Sequence, residues 1–190
     1  YRLMVADTAV LPPETVVEGA VMNTVAVVDA IKGLVTKHNI QTKNAVIALS
    51  GNSVIIKPIR LQLMSMDELE EQIKWEAEQY IPFDINDCNI DVQILHGAET
   101  DPSEMDVLLV AARKDVINEY RSLIQQAGLN AQVVDIASFA LANTFKLNYP
   151  IEMEEGVVAL VNVGESSTNI HILRGGVSVF TRDLGIGGRV

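Results

Sequence analysis

Apolar and polar positions alternate along the chain between short runs of period two and longer stretches of helical period, and this punctuation predicts the elements. Residues 3–6 are apolar and predict a strand, Pro12-Pro13 breaks the chain, and residues 15–22 predict a second extended run. Thr24 is the expected N-cap of a helix in which Val28, Ile31, Leu34, Val35 and His38 keep helical spacing. Asn39 is a natural stop, and residues 45–49 predict a fully buried strand. Strand, helix and strand in this order imply a parallel crossover.

The next stretch changes character. Gly51-Asn52 is a turn signal, and residues 53–59 are a β-branched run carrying Pro58, which places it at a sheet edge. Ser65-Met66-Asp67-Glu68 is a capping box, with acidic residues where the helix dipole favours them. Leu69, Ile73, Ala77, Tyr80 and Ile81 then form one apolar stripe, which Pro82 ends. Two strands are expected near 89–95 and 107–112, joined by a polar, acidic loop over 96–104. A helix over 115–127 follows, its apolar face carrying Val116, Ile117, Tyr120, Leu123, Ile124 and Ala127, with Gly128 as C-terminal cap. Residues 52–127 thus read as an inserted α+β unit.

After it come a short strand at Val133-Val134, a small-residue helix over 136–147 and a linker over 149–156. Three strands over 157–163, 168–173 and 177–184 form an antiparallel meander, with turns at Gly164-Glu165-Ser166-Ser167 and Arg174-Gly175-Gly176. Gly185-Ile186-Gly187-Gly188 follows. Such a meander cannot bury its apolar face alone, so the expectation is a piece of a larger two-domain protein, cut at both ends.

Composition removes whole classes of function. The chain has 190 residues, 48% hydrophobic and 21% charged, which supports a packed core. Its 14 Lys+Arg against 25 Asp+Glu give a net charge of −11, which opposes nucleic-acid binding. One cysteine, Cys88, supports neither a disulfide framework nor a cysteine zinc site, and reads as a small core or surface residue. His38, His96 and His171 show no ligand spacing. No apolar stretch approaches the roughly 20 residues of a membrane helix, and the first residues do not read as a signal peptide.

Three stretches carry candidate chemistry. In Val161-Asn162-Val163-Gly164-Glu165-Ser166-Ser167-Thr168-Asn169 a strand runs into a turn of glycine and hydroxyl residues, whose N–H groups can bind phosphate oxygens. An ordinary hairpin uses the same residues, and spacing alone favours that plainer reading. Gly187-Gly188 could open a helix facing a phosphate, or simply be a strand exit. Trp75 falls on the polar side of its helix with Glu68, Gln72 and Gln79, so it is either covered by another part of the fold or offered to a partner. Glu68, Glu71 and Glu78 have no neighbouring His or nucleophile and read as a solvated face, and the acidic loop lacks a calcium-ligand pattern.

These residues carry a resemblance. Ile56-Lys57-Pro58-Ile59, Ser65-Met66-Asp67-Glu68-Leu69 and Trp75-Glu76-Ala77-Glu78-Gln79-Tyr80-Ile81-Pro82-Phe83 resemble the PilM family, cytoplasmic actin-like components of type IV pilus assembly. So do Val107-Leu108-Leu109-Val110-Ala111-Ala112-Arg113-Lys114, Gly164-Glu165-Ser166-Ser167-Thr168-Asn169-Ile170 and Phe180-Thr181-Arg182-Asp183-Leu184. The resemblance implies an α/β, actin-like (ribonuclease H-like) lobe over 1–51 and 128–150, an inserted FtsA-like α+β subdomain over 52–127, and the truncated start of a second lobe over 151–190.

It also implies ATP, with Mg, in a cleft between two lobes of the full-length protein, and no tight nucleotide binding by this stretch alone. Gly164, Ser166, Ser167 and Thr168 would match the second phosphate-binding hairpin, and Gly187 and Gly188 the entry towards the adenosine side. Asn162 stands where the wider superfamily commonly has an acidic residue, which implies weak or no ATPase activity. The implied partner is the cytoplasmic N-terminal peptide of PilN, and through it the platform containing PilO. Self-association is a further possibility, and membrane contact would be indirect, at the cytoplasmic side of the inner membrane. Trp75 and Tyr80 are partner-contact candidates from their physics, not from the family. The alternatives are an ATPase or sugar kinase of the actin superfamily, for which no catalytic carboxylate is positioned, and an FtsA-like division protein.

Overall fold

Local sequence signals set most of the elements, and burial of one apolar stripe per element sets their packing. The structure, a computed structural model, describes residues 2–17, 19–51, 54–97 and 101–188. Asn52 of the expected turn, Ser53 of the strand after it and residues 98–100 of the acidic loop lie outside the described residues. The chain forms two compact units, residues 1–49 with 115–135 and residues 50–114 with 136–190.

In the first unit, β1 (Val16–Val17) and β2 (Ala20–Val21) pair antiparallel about Gly19, whose φ of 84° suits glycine. Helix α1 (Thr24–Lys37) follows, and Asn23 caps it, not Thr24: the Asn23 side chain accepts the Ala26 N–H. An amide one residue earlier satisfies the donor that the threonine was expected to serve. Asn39 does end the helix, in the left-handed region at φ 49°. Strand β3 (Asn44–Leu49) is not buried throughout. Leu49 is buried while Val46 is 68% exposed, so only one face of the strand is covered. Residues 3–6 pair with no strand among the described residues; Asp7 beyond them meets Lys37 Nζ at 2.7 Å and His38 Nε2 at 2.5 Å.

Helix α3 (Lys114–Gln126) packs through Leu123 and Ala127 onto Val28 of α1, although its sequence reads with the inserted stretch. The Tyr120 hydroxyl donates to the Gly19 carbonyl at 2.7 Å, and Gly128 ends the helix at φ 81°. Strand β7 (Asn130–Ile136) then pairs with β3.

The second unit holds two antiparallel sheets. The first has β4 (Val54–Gln62) and β5 (Cys88–Gly97) on either side of β6 (Glu104–Arg113), so Pro58 sits on an edge strand as its missing N–H requires. Helix α2 (Met66–Ala77) covers this sheet. Its Ser65–Glu68 capping box is formed, with the Ser65 side chain accepting the Glu68 N–H and Glu68 Oε2 accepting the Ser65 N–H. The expected stripe packs down: Leu69, Ile73, Ala77 and Ile81 are buried with Met105, Val107 and Leu109, and Tyr80 lies half-buried beside them. The helix ends a turn before Ile81. Tyr80 N–H bonds to the Ala77 carbonyl, tightening the last turn ahead of Pro82.

The second sheet runs β10–β9–β8, from β8 (Val157–Val163), β9 (Thr168–Arg174) and β10 (Val177–Leu184), in the expected meander. Gly175 and Gly176 both have positive φ, as a two-residue hairpin demands. Helix α4 (Ala137–Asn148) packs on the sheet through Ala142 and Phe145 against Leu160 and Leu173. The segment read as a linker is a short helix, α5 (Pro150–Glu155), started by proline at its first turn and pinned by Met153, which is 2% exposed. Six residues are too few to display a helical period in sequence.

Candidate functional site

The turn between β8 and β9 is the centre of the site. Gly164 N–H donates to the Ser167 carbonyl at 2.9 Å, which closes the turn. The Gly164 carbonyl in turn accepts the Gly188 N–H at 2.8 Å, and the Thr168 hydroxyl donates to the Ile186 carbonyl at 2.7 Å. The exit of β10 therefore folds back over the turn. A Cβ on Gly187 would stand 2.4 Å from the Glu165 carbonyl, so the backbone approach there needs glycine.

The structure thus brings Gly164, Thr168, Gly187 and Gly188 together, with Ser166 and Ser167 between them in the turn. The Ser166 and Ser167 N–H groups have no acceptor among the described residues. Thr168 differs, because its hydroxyl proton is already engaged by Ile186.

Asn162, at the end of β8, donates from Nδ2 to Asn169 Oδ1 at 3.1 Å, across the β8–β9 pair. Asn169 Nδ2 donates to Asp183 Oδ1 at 2.7 Å, and the Gly51 N–H donates to Asp183 Oδ2 at 2.6 Å. Sequence reading gave Gly51 only as a turn residue and Asp183 only as part of a family-like stretch, and assigned neither to the site. Asp183 lies 14 residues from Asn169 and 132 from Gly51, a separation that no local pattern spans.

Asn162 and Asn169 also line an open pocket of about 320 Å³ beneath α4, together with Ser138, Leu141, Thr144 and His171. His171 is 2% exposed, with Nδ1 3.1 Å from the Ser138 carbonyl and Nε2 2.9 Å from Ser178 Oγ. A carbonyl only accepts, so Nδ1 carries the proton and Nε2 accepts from the serine. Burial pushes the His171 pKa down, which favours this neutral form. The Ser138 hydroxyl is buried without a partner among the described residues.

The two aromatic partner candidates separate. Trp75 stands 75% exposed on the outer face of α2, whereas Tyr80 packs half-buried against the core and has Lys57 Nζ 4.6 Å from its ring centroid. Cys88 is a buried core residue. No group of three or more metal-ligating side chains occurs among the described residues. No helix among them is long and apolar enough to cross a membrane.

A family model described as type IV pilus assembly protein PilM matches residues 1–190. Among solved structures, the chain is similar to one titled PilM-PilN type IV pilus biogenesis complex, at 30% identity and a TM-score of 0.79, covering 94% of this chain and 53% of that one. It is also similar to the cytoplasmic domain of EpsL, an inner-membrane component of the type II secretion system of Vibrio cholerae, at 16% identity and a TM-score of 0.54, covering 83% of this chain and 56% of that one. This chain therefore spans about half the length of these relatives, and shares with the first a mixed α/β fold. Its sequence and fold together place the chain in the PilM family of type IV pilus assembly proteins.

Proposed function

We propose that the chain is the nucleotide-binding part of a type IV pilus assembly scaffold, with the 164–168 hairpin and Gly187-Gly188 forming one wall of an ATP site. The closure of Gly188 on Gly164, with a backbone approach at Gly187 that excludes any side chain, is the observation that carries this reading. Such an approach leaves backbone N–H groups uncovered by side chains, as an anion cradle requires. The N–H groups of Ser166 and Ser167 are the donors available for phosphate, and Gly164 shapes the turn that holds them. Thr168 serves as a brace for the β10 exit.

Mg would accompany the nucleotide. Asn162 supplies no negative charge, which supports slow or absent hydrolysis and a role for ATP in holding conformation. In this reading the first lobe is 1–51 with 128–150, the inserted subdomain 52–127 and the start of the second lobe 151–190.

The partner in this reading is the cytoplasmic N-terminal peptide of PilN, with PilO reached through it and the membrane contacted indirectly. Support comes from the likeness to a chain solved in a PilM-PilN complex. Trp75 is the side chain better placed to meet a partner, because its ring is exposed while Tyr80 is half-buried against the core. Titration of the full-length protein with ATP, and of its ATP-bound form with a PilN N-terminal peptide, tests both halves. Binding of neither would overturn the reading.

A further inference from the structure

The polar chain that ends on Asp183 has a direction, and charge sets it. A carboxylate only accepts hydrogen bonds, and a backbone N–H only donates. Asp183 accepts from Gly51 with one oxygen and from Asn169 with the other. Asn169 has then turned its amino group to Asp183, so its carbonyl oxygen faces Asn162 and takes the Asn162 amino group. The end of the relay is therefore Asn162 Oδ1, an acceptor. Either amide alone could sit in both orientations, and the carboxylate is what selects one.

We propose that Asp183 is a positioning residue of the nucleotide site: through Asn169 it holds Asn162 with its carbonyl oxygen outward, so that this position takes a water molecule, free or carried on Mg²⁺, and disfavours a bare phosphate oxygen. The proposal rests on the nucleotide reading above. An acceptor facing a phosphate oxygen is repulsive, whereas water can donate to both. The end group also suits the ion: Mg²⁺ takes oxygen ligands, keeps several waters and binds largely through substrate phosphates. A negative charge two hydrogen bonds away also polarises the relay towards greater acceptor strength at Asn162.

Asp183→Asn inverts the relay while keeping the shape. The new side chain can still accept from Gly51, but it donates to Asn169. Asn169 then donates to Asn162, and Asn162 presents its amino group. In the full-length protein, ATP affinity is measured with Mg²⁺ and with chelator. The expected result is that Asp183→Asn lowers the ratio of Mg-ATP to metal-free ATP affinity by about fivefold or more, mainly by strengthening metal-free binding. Asp183→Ala, which removes the anchor without inverting it, should change the ratio less.

The second readout needs no nucleotide. Selective ¹⁵N-asparagine labelling should show the side-chain amide resonances of Asn162 and Asn169 both shifting in Asp183→Asn. An unchanged affinity ratio, or amide resonances that stay in place, would overturn the proposal. A protein that binds no ATP in either condition would refute the nucleotide reading, and the amide resonances would then decide the relay alone.

Discussion

Gly187 lies so close to Glu165 that a single added Cβ would stand 2.4 Å from the Glu165 carbonyl carbon and oxygen. Both atoms are backbone, so neither can swing aside as a side-chain tip would. Gly187→Ala should therefore push the β10 exit off the turn and break the Gly188–Gly164 hydrogen bond. The expected outcome is weaker ATP binding in the full-length protein, with little change in far-UV circular dichroism. Unaltered affinity would show that this approach does not matter to the ligand.

Trp75 and Leu69 sit on opposite faces of α2 and should separate function from stability. Leu69 is fully buried, so Leu69→Ala should cost about 2–5 kcal/mol of unfolding free energy. Trp75→Ala should change stability by only about 0.5 kcal/mol while weakening capture of the PilN peptide. Chemical denaturation and peptide titration check the two halves independently.

His171 predicts a pH dependence. Burial lowers its folded pKa below the ordinary imidazole value of 6.5, so just below that pH the unfolded chain binds the proton more readily. The protein should lose stability as pH falls from about 6.5 towards the folded pKa, and should show no such His171 contribution above 6.5. His171→Gln removes the titrating group, and thermal melts of the two proteins across this range should diverge in slope.

The α2 capping box can be tested alone. Ser65→Ala should cost about 1 kcal/mol, because the Glu68 N–H loses its acceptor. The Ser65 backbone N–H, followed by its hydroxyl, lowers the Glu68 pKa. The contribution of that pair is thus complete above the ordinary carboxylate range and fades as pH falls through the folded pKa. Melting temperatures of the parent and Glu68→Gln should accordingly converge in acid.

What could be read in advance was local. The capping box at Ser65, the Leu69 stripe, the Pro58 edge strand and the 157–184 meander each carry their signal within a few residues, and all of them formed. Features that depend on distant partners could not be read. Residues 3–6 look like a strand but pair with none among the described residues, and α3 carries a helical signal that says nothing about its packing on α1. The site divides in the same way. Gly164, Thr168, Gly187 and Gly188 announced themselves by type and do meet, whereas the Asp183 relay depends on a hydrogen bond to Gly51 across 132 positions.

The most direct test of the nucleotide reading is ATP affinity of the full-length protein with and without Gly164→Asp, both folded by thermal melt. A Cβ at Gly164 would lie 3.0 Å from the Ser167 carbonyl, and the added carboxylate would stand in the turn where phosphate is expected. The account predicts that affinity falls by about tenfold or more. Equal affinity in the two proteins would contradict it.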